Sequence, residues 1–250
     1  MLAVGLLVGV VIGAVLGIVG AGGSLLATPL LVLVGNFTFA EASTGALFVV
    51  FFASSTAFVL RKRDNLHWKT ALIAISLGSI GSIPGAWLAT QISELASSFV
   101  LMAVLALASF ATWNSEKTKS RVSESAGRLL LAFVFIFAGL LTGLTGVGAG
   151  YILLPALLIL TSLKFREAVS LSLLVVIGNS LVALSMRLIQ GVRFNLEDGS
   201  VISMVVIAAV IGSAVGAKIS NKLNRKVVQR GFSILTLGLI VLVAFEAAIR

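Results

Sequence analysis

The sequence predicts an all-α fold, a polytopic membrane helix bundle made of two inverted repeats. Three observations lead there. The 250 residues are 59% hydrophobic and only 11% charged, with a mean hydropathy of +1.16, which is more apolar surface than a soluble domain of this length buries. Charge is absent from residues 1–40, 42–60, 70–93, 95–115, 129–163, 168–186, 199–217 and 231–245, and a helix crosses hydrocarbon with roughly 20 apolar residues. Finally, Gly17-Ile18-Val19-Gly20-Ala21-Gly22-Gly23-Ser24, with Pro29 behind it, recurs as Gly143-Leu144-Thr145-Gly146-Val147-Gly148-Ala149-Gly150 with Pro155. The alternation of apolar and polar residues that marks a transmembrane barrel is missing.

Each repeat reads as five apolar segments. Residues 2–18 are the first; they lack a basic n-region and the run is too long for a cleaved signal peptide, so a membrane helix is expected. The second, 24–34, reaches only about 15 Å, half the hydrocarbon thickness. Segments 43–60, 70–90 and 95–112 complete a first repeat spanning 1–112, and 113–128, rich in Ser, Lys and Glu, reads as a linker. The second repeat, 129–250, has segments 129–145, 151–160, 168–186, 199–217 and 231–249. An offset of 126 places Gly17, Gly22, Pro29, Glu41 and Ser54 on Gly143, Gly148, Pro155, Glu167 and Ser180. Five extra residues around Leu196 to Ser200 then shift the offset to 131, which matches Gly81–Ala86 with Gly212–Ala217.

The short second segment either folds back on the first, with the glycines at the tip of a hairpin, or continues it as one broken span. Lys and Arg fall 15 against 3 across the membrane in the hairpin arrangement and 11 against 7 in the other. The positive-inside rule favours the hairpin. An odd number of segments then inverts the second repeat. Both termini are expected outside, with loops 61–69, 113–128 and 218–230 in the cytoplasm. The net charge of +9 is read as this orientation signal and not as a nucleic-acid surface.

Glycine tips that break membrane segments are where secondary transporters build substrate sites. Inversion is expected to bring the two tips together, with the helix N-termini near Ser24 and Tyr151 facing a shared midplane cavity suited to an anion. Gly20, Gly22, Gly23, Gly148 and Gly150 are assigned to that site. Gly13/Gly17, Gly81/Gly85, Gly139/Gly143 and Gly212/Gly216 have the spacing of close helix packing instead. Ser24, Thr28 and Thr145 flank the tips, and Ser54, Asn179 and Ser180 are polar groups within apolar helices. Arg187 interrupts Leu184-Ser185-Met186-Arg187-Leu188-Ile189; it either snorkels to the surface or attracts anions at the outer mouth.

The absences exclude chemistries. Without cysteine there is no disulfide, thiolate metal site or cysteine nucleophile. Mid-helix Asp, Glu, Lys and His are missing, which argues against an intramembrane proton relay, a divalent-cation carrier and an intramembrane enzyme. Neither a cofactor nor a metal is expected. A scaffold or receptor is the remaining non-transport reading.

The duplicated tip followed by a Pro-led apolar helix, the helix starts Ala42-Ser43-Thr44 and Ala168-Val169-Ser170, and Asn65-Leu66-His67-Trp68 resemble the sulfite exporter TauE/SafE family over almost the whole chain. The resemblance implies a permease of the bacterial cytoplasmic (inner) membrane for small sulfur-containing anions, sulfite or organosulfonates. Export by alternating access, driven by membrane potential, is the expected activity; an anion channel or an uptake permease for another small anion is the alternative. Small-residue faces and the resemblance also point to a homodimer. The second tip, Gly148-Ala149-Gly150-Tyr151, lacks the paired glycine and sets Gly150 where the first has Ser24, so an asymmetric cavity is expected.

Overall fold

The computed structural model describes residues 2–34, 37–61, 66–93, 96, 97, 99–104, 106, 124–192, 194, 196–220 and 238. Among these, every regular element is helical: α1 (Leu2–Val19), a 3₁₀ turn (Ala21–Leu26), α2 (Ala27–Val34), α3 (Phe39–Leu60), α4 (Trp68–Leu88), α5 (Glu124–Thr145), α6 (Gly150–Leu160), α7 (Phe165–Ile189) and α8 (Leu196–Ser220). Half of segment 95–112, linker residues 113–123 and the last segment, 231–249, apart from Gly238, lie outside the described residues. Five described helices are long and apolar enough to span a bilayer: α3, α4, Gly127–Thr145 of α5, α7 and Asp198–Ser220 of α8.

The helices overrun the charge-free segments at their starts, and capping is the reason. Thr38 caps α3, its hydroxyl accepting from the Glu41 amide while Glu41 Oε2 accepts from Thr38 N at 2.8 Å. Glu167 Oε2 likewise accepts from Lys164 N at 2.9 Å at the start of α7. The acids that appeared to bound the membrane segments are first-turn residues, favourable at the positive end of the helix dipole. α5 similarly begins at Glu124, inside the stretch read as linker.

Both repeats turn back on a glycine in the left-handed region. Gly20 has φ +86° and Gly146 φ +70°, conformations that a Cβ disfavours. Gly20 N closes α1 on Leu16 O at 2.8 Å, and Gly146 N closes α5 on Thr142 O at 3.0 Å. The chain then doubles back: Gly23 lies so close to the backbone of Val15 and Leu16 on α1 that a side chain has no room.

The central helices are α3 and α7, which pack on one another; α1 runs along α8, and α4 along α5. Thus the first helix of each repeat lies against the fourth helix of the other. These crossings are backbone to backbone. A Cβ on Gly13 would strike the Ala209 carbonyl, and one on Gly216 the Ala14 carbonyl; across the other pair, Gly81 meets Ile136, Gly139 meets Gly78 and Gly143 meets Ser82. All four small-residue pairs are therefore consumed inside the bundle, and the homodimer loses the free faces expected to support it. The outer surface carries large apolar side chains instead, among them Leu7, Leu72, Ile80, Phe133, Ile207 and Ile211, as a lipid-facing surface requires.

Gly139→Leu should destabilise the bundle by about 3 kcal/mol or more, since the obstructing atoms are backbone and cannot repack. Gly5→Ala, whose nearest neighbour would be Val205 Cγ2 at 3.6 Å, should be neutral or stabilising. Thermal unfolding of the detergent-solubilised variants checks both.

Candidate functional site: a polar crossing between two glycine turns

Eighteen residues make α1 about 27 Å long, so the first turn is carried nearly across the bundle. There Arg61, just beyond α3, donates from Nη2 to the carbonyls of Gly17 at 2.7 Å and Ile18 at 2.9 Å. A Cβ on Gly20 would meet Val169 Cγ1, at the start of α7. The second turn lies toward the other end: Gly146 backs onto the Ser43 carbonyl, one turn into α3. Ser43 and Arg61 are separated by about 27 Å of helix, so the two left-handed glycines, Gly20 and Gly146, lie apart, while the remainder of each tip packs on the other, the 3₁₀ turn against the start of α6.

What meets is the chain just past each turn. Ser24 Oγ donates to the Gly148 carbonyl, and Thr28 Oγ1 to the Thr145 carbonyl at 2.7 Å. Thr145 Oγ1 donates to Leu141 O at 2.7 Å and accepts from Val147 N at 3.3 Å, while Thr142 Oγ1 accepts from Ala149 N at 3.1 Å. The hydroxyl protons of Ser24 and Thr28 thus go to carbonyls of the other hairpin and join the two, while that of Thr145 stays within α5. Gly22 and Gly23 lie in the 3₁₀ turn, and Gly150 and Tyr151 open α6. Gly148 is enclosed, its absent Cβ 2.7 Å from Val176 Cγ1 and 2.8 Å from Ser24 Oγ.

Four buried polar side chains carry atoms that no described group satisfies: Tyr151 Oη, Ser180 Oγ and both amide atoms of Asn179 beside this crossing, and Ser54 Oγ on α3. Asn179 and Ser180 occupy the middle of α7, one turn beyond Val176 and well inside its two ends. The Asn179 amide lies over α4 at Gly78, where a Cβ would come within 2.6 Å of Nδ2. Ser54 is the counterpart of Ser180 on α3.

Arg187 does not snorkel. It is fully buried and serves five acceptors: Nη2 donates to Gly143 O at 2.7 Å and Leu144 O at 3.1 Å, and Nη1 to Ala40 O at 3.2 Å, Ser43 Oγ at 2.6 Å and Thr44 Oγ1 at 3.1 Å. The unpaired carbonyls at the end of α5 hold it inside more strongly than water at the surface would draw it out. Its counterpart at the 126-residue offset, Arg61, went unrecognised in the sequence because it opens the basic run Arg61-Lys62-Arg63 and reads as an orientation charge. Burial lowers the Arg61 guanidinium to about 10, which leaves it cationic at neutral pH.

Helices of spanning length, an apolar exterior and two hairpins crossing at buried polar groups define a multi-pass membrane protein of the permease type. The chain belongs to the sulfite exporter TauE/SafE family, whose model matches residues 5–243. A probable membrane transporter protein of Xylella fastidiosa strain 9a5c is 26% identical over 166 residues, and that of strain Temecula1 / ATCC 700964 is equally similar. The match covers 64% of this chain and 64% of each relative's length. No solved structure gives a significant match.

Arg187→Met should cost more stability than Arg61→Met. A hydrogen bond to a charged group is worth roughly 1.5–3 kcal/mol, and Arg187 makes five against two for Arg61. Chemical denaturation monitored by tryptophan fluorescence measures the difference.

Proposed function

We propose that this chain is a permease that exports a small sulfur-containing anion, sulfite or an organosulfonate, across the bacterial cytoplasmic membrane by alternating access between two inverted repeats. The observation that carries the proposal is the set of unsatisfied polar atoms on Tyr151, Asn179 and Ser180 beside the hairpin crossing and on Ser54 of α3. A buried polar group without a partner costs about 1–3 kcal/mol, and a ligand rich in oxygen acceptors removes that cost for the hydroxyls and the amide N–H. The helical starts at Ala21 and Gly150 add positive partial charge. Arg187, fully buried, and Arg61, half-buried, add two cations that no carboxylate pairs with among the described residues. All of this favours an anion, and the family's description names an exporter rather than an enzyme.

Several contacts support two related halves. Arg61 with Gly17 and Ile18 repeats as Arg187 with Gly143 and Leu144, and the α1–α8 crossing repeats as α5–α4. In this reading both termini lie outside, and Asn179, Ser180 and Ser54 provide the mid-depth site, with Gly20, Gly22, Gly23, Gly148, Gly150 and Tyr151 supplying backbone or side-chain donors. Ser24, Thr28 and Thr145 hold the hairpins in register around it. A cytoplasm-negative potential expels a monovalent anion with about 2.3 kcal/mol per 100 mV, so no coupled ion is required.

Proteoliposomes preloaded with sulfite, with potassium and valinomycin setting the voltage, test the proposal. Saturable, voltage-driven efflux is expected. Asn179→Leu should abolish it while leaving thermal stability equal or higher, since an apolar side chain of similar shape replaces an unpaired amide. Wild-type protein that passes no sulfite or organosulfonate, or an Asn179→Leu variant that passes both normally, contradicts it.

A further inference from the structure

Arg61 and Arg187 share a position and one half of their bonding, and the other half differs. Each caps the first helix of its own repeat through Nη2. Only Arg187 also reaches across to the start of the other repeat's third helix, where Nη1 meets the Ala40 carbonyl and the Ser43 and Thr44 hydroxyls. The counterparts of those three groups are the Arg166 carbonyl, Val169 and Ser170, so the residue in the place of Ser43 has no acceptor. Arg61 Nη1 lies beside Gly20, 3.8 Å from where its Cβ would be, and Val169 presents a methyl to the same spot. Arg61 is partly exposed where Arg187 is fully buried.

We infer that the two arginines are unequal latches, one for each end of the pathway, and that residue 169 sets their balance. This rests on the alternating-access reading. Arg187 bolts the second hairpin to α3 and shuts its own end firmly. Arg61 holds only the first hairpin, so the end between Gly20 and α7 opens more readily. Arginine suits the task because its planar fork can keep one pair of bonds, to the helix it caps, while it releases the other. The arginines thereby act as positioning residues, and neither need touch the transported anion.

The chain has no cysteine, so single reporters are unambiguous. Ala46 lies one turn past Ser43 on α3, Ser172 lies one turn past Val169 on α7, and both are fully buried. The test measures alkylation rates of Ala46→Cys and Ser172→Cys by a membrane-impermeant maleimide added in turn to right-side-out and inside-out vesicles, each reporter taken from the face its end opens to, with no substrate present. Ser172→Cys should react faster than Ala46→Cys. Val169→Ser, which supplies the missing acceptor, should slow Ser172→Cys by about fivefold, the worth of one net hydrogen bond, without slowing Ala46→Cys. Arg187→Ala should accelerate Ala46→Cys alone. Equal reporter rates, or a Ser172→Cys rate indifferent to Val169→Ser, overturn the inference even if Arg187→Ala fails to fold. Because labelling needs no anion, latches that behave as described beside absent sulfite flux would reject the proposed substrate and leave the latches standing.

Discussion

A helix that ends inside a bilayer leaves its last carbonyls facing hydrocarbon, and each must find a donor within the protein. That constraint organises this molecule. α1 and α5 both stop at a left-handed glycine within the bundle, and an arginine closes each end. The guanidinium supplies several donors in one plane and a positive charge at the negative end of the helix dipole. Without it the glycine turns would expose unpaired backbone, and the hairpins that form the crossing could not be held between the central helices.

The second requirement is proximity. Arg187 reaches α5 and α3 together only because the helices interlock, the first of each repeat lying on the fourth of the other at backbone contact. Glycine at Gly13, Gly81, Gly139 and Gly216 makes that contact available, and dispersion over closely packed backbones holds helices together where lipid removes the hydrophobic drive. The unsatisfied polar atoms of Ser54, Asn179, Ser180 and Tyr151 stand out against this tightly matched frame. A fold that finds partners for the turn hydroxyls and still leaves an amide unpaired at mid-helix is giving up stability there, as functional sites commonly do.

Much of this was legible in the sequence because duplication and glycine density are local signals. The 126-residue offset, the hairpin turns and the packing role of the small-residue pairs could all be read from one chain. So could the candidate polar residues: Ser54, Tyr151, Asn179 and Ser180, which keep unsatisfied atoms, carry the signal of residue type and apolar context, whereas Gln190, whose Oε1 is also unsatisfied, does not. The acceptors of Arg187 could not be read, since all five lie far along the chain as backbone carbonyls or common hydroxyls, which carry no signature of their partner. Arg61 shows a different failure. The offset that aligns Ser54 with Ser180 also aligns Arg61 with Arg187, but a cation inside the basic run Arg61-Lys62-Arg63 is indistinguishable by residue type from an orientation charge. Helix ends were misjudged where charge was taken to mark the membrane boundary, as at Glu41 and Glu167, which belong to caps.

The central claim is that the unsatisfied groups of Ser54, Tyr151, Asn179 and Ser180 are an anion site. Equilibrium binding of radiolabelled sulfite to the purified protein, wild type beside the Ser54→Ala/Ser180→Ala double variant, addresses it without relying on transport. The account predicts saturable binding to the wild type that is lost in the double variant at unchanged thermal stability. Equal binding to both proteins would contradict it.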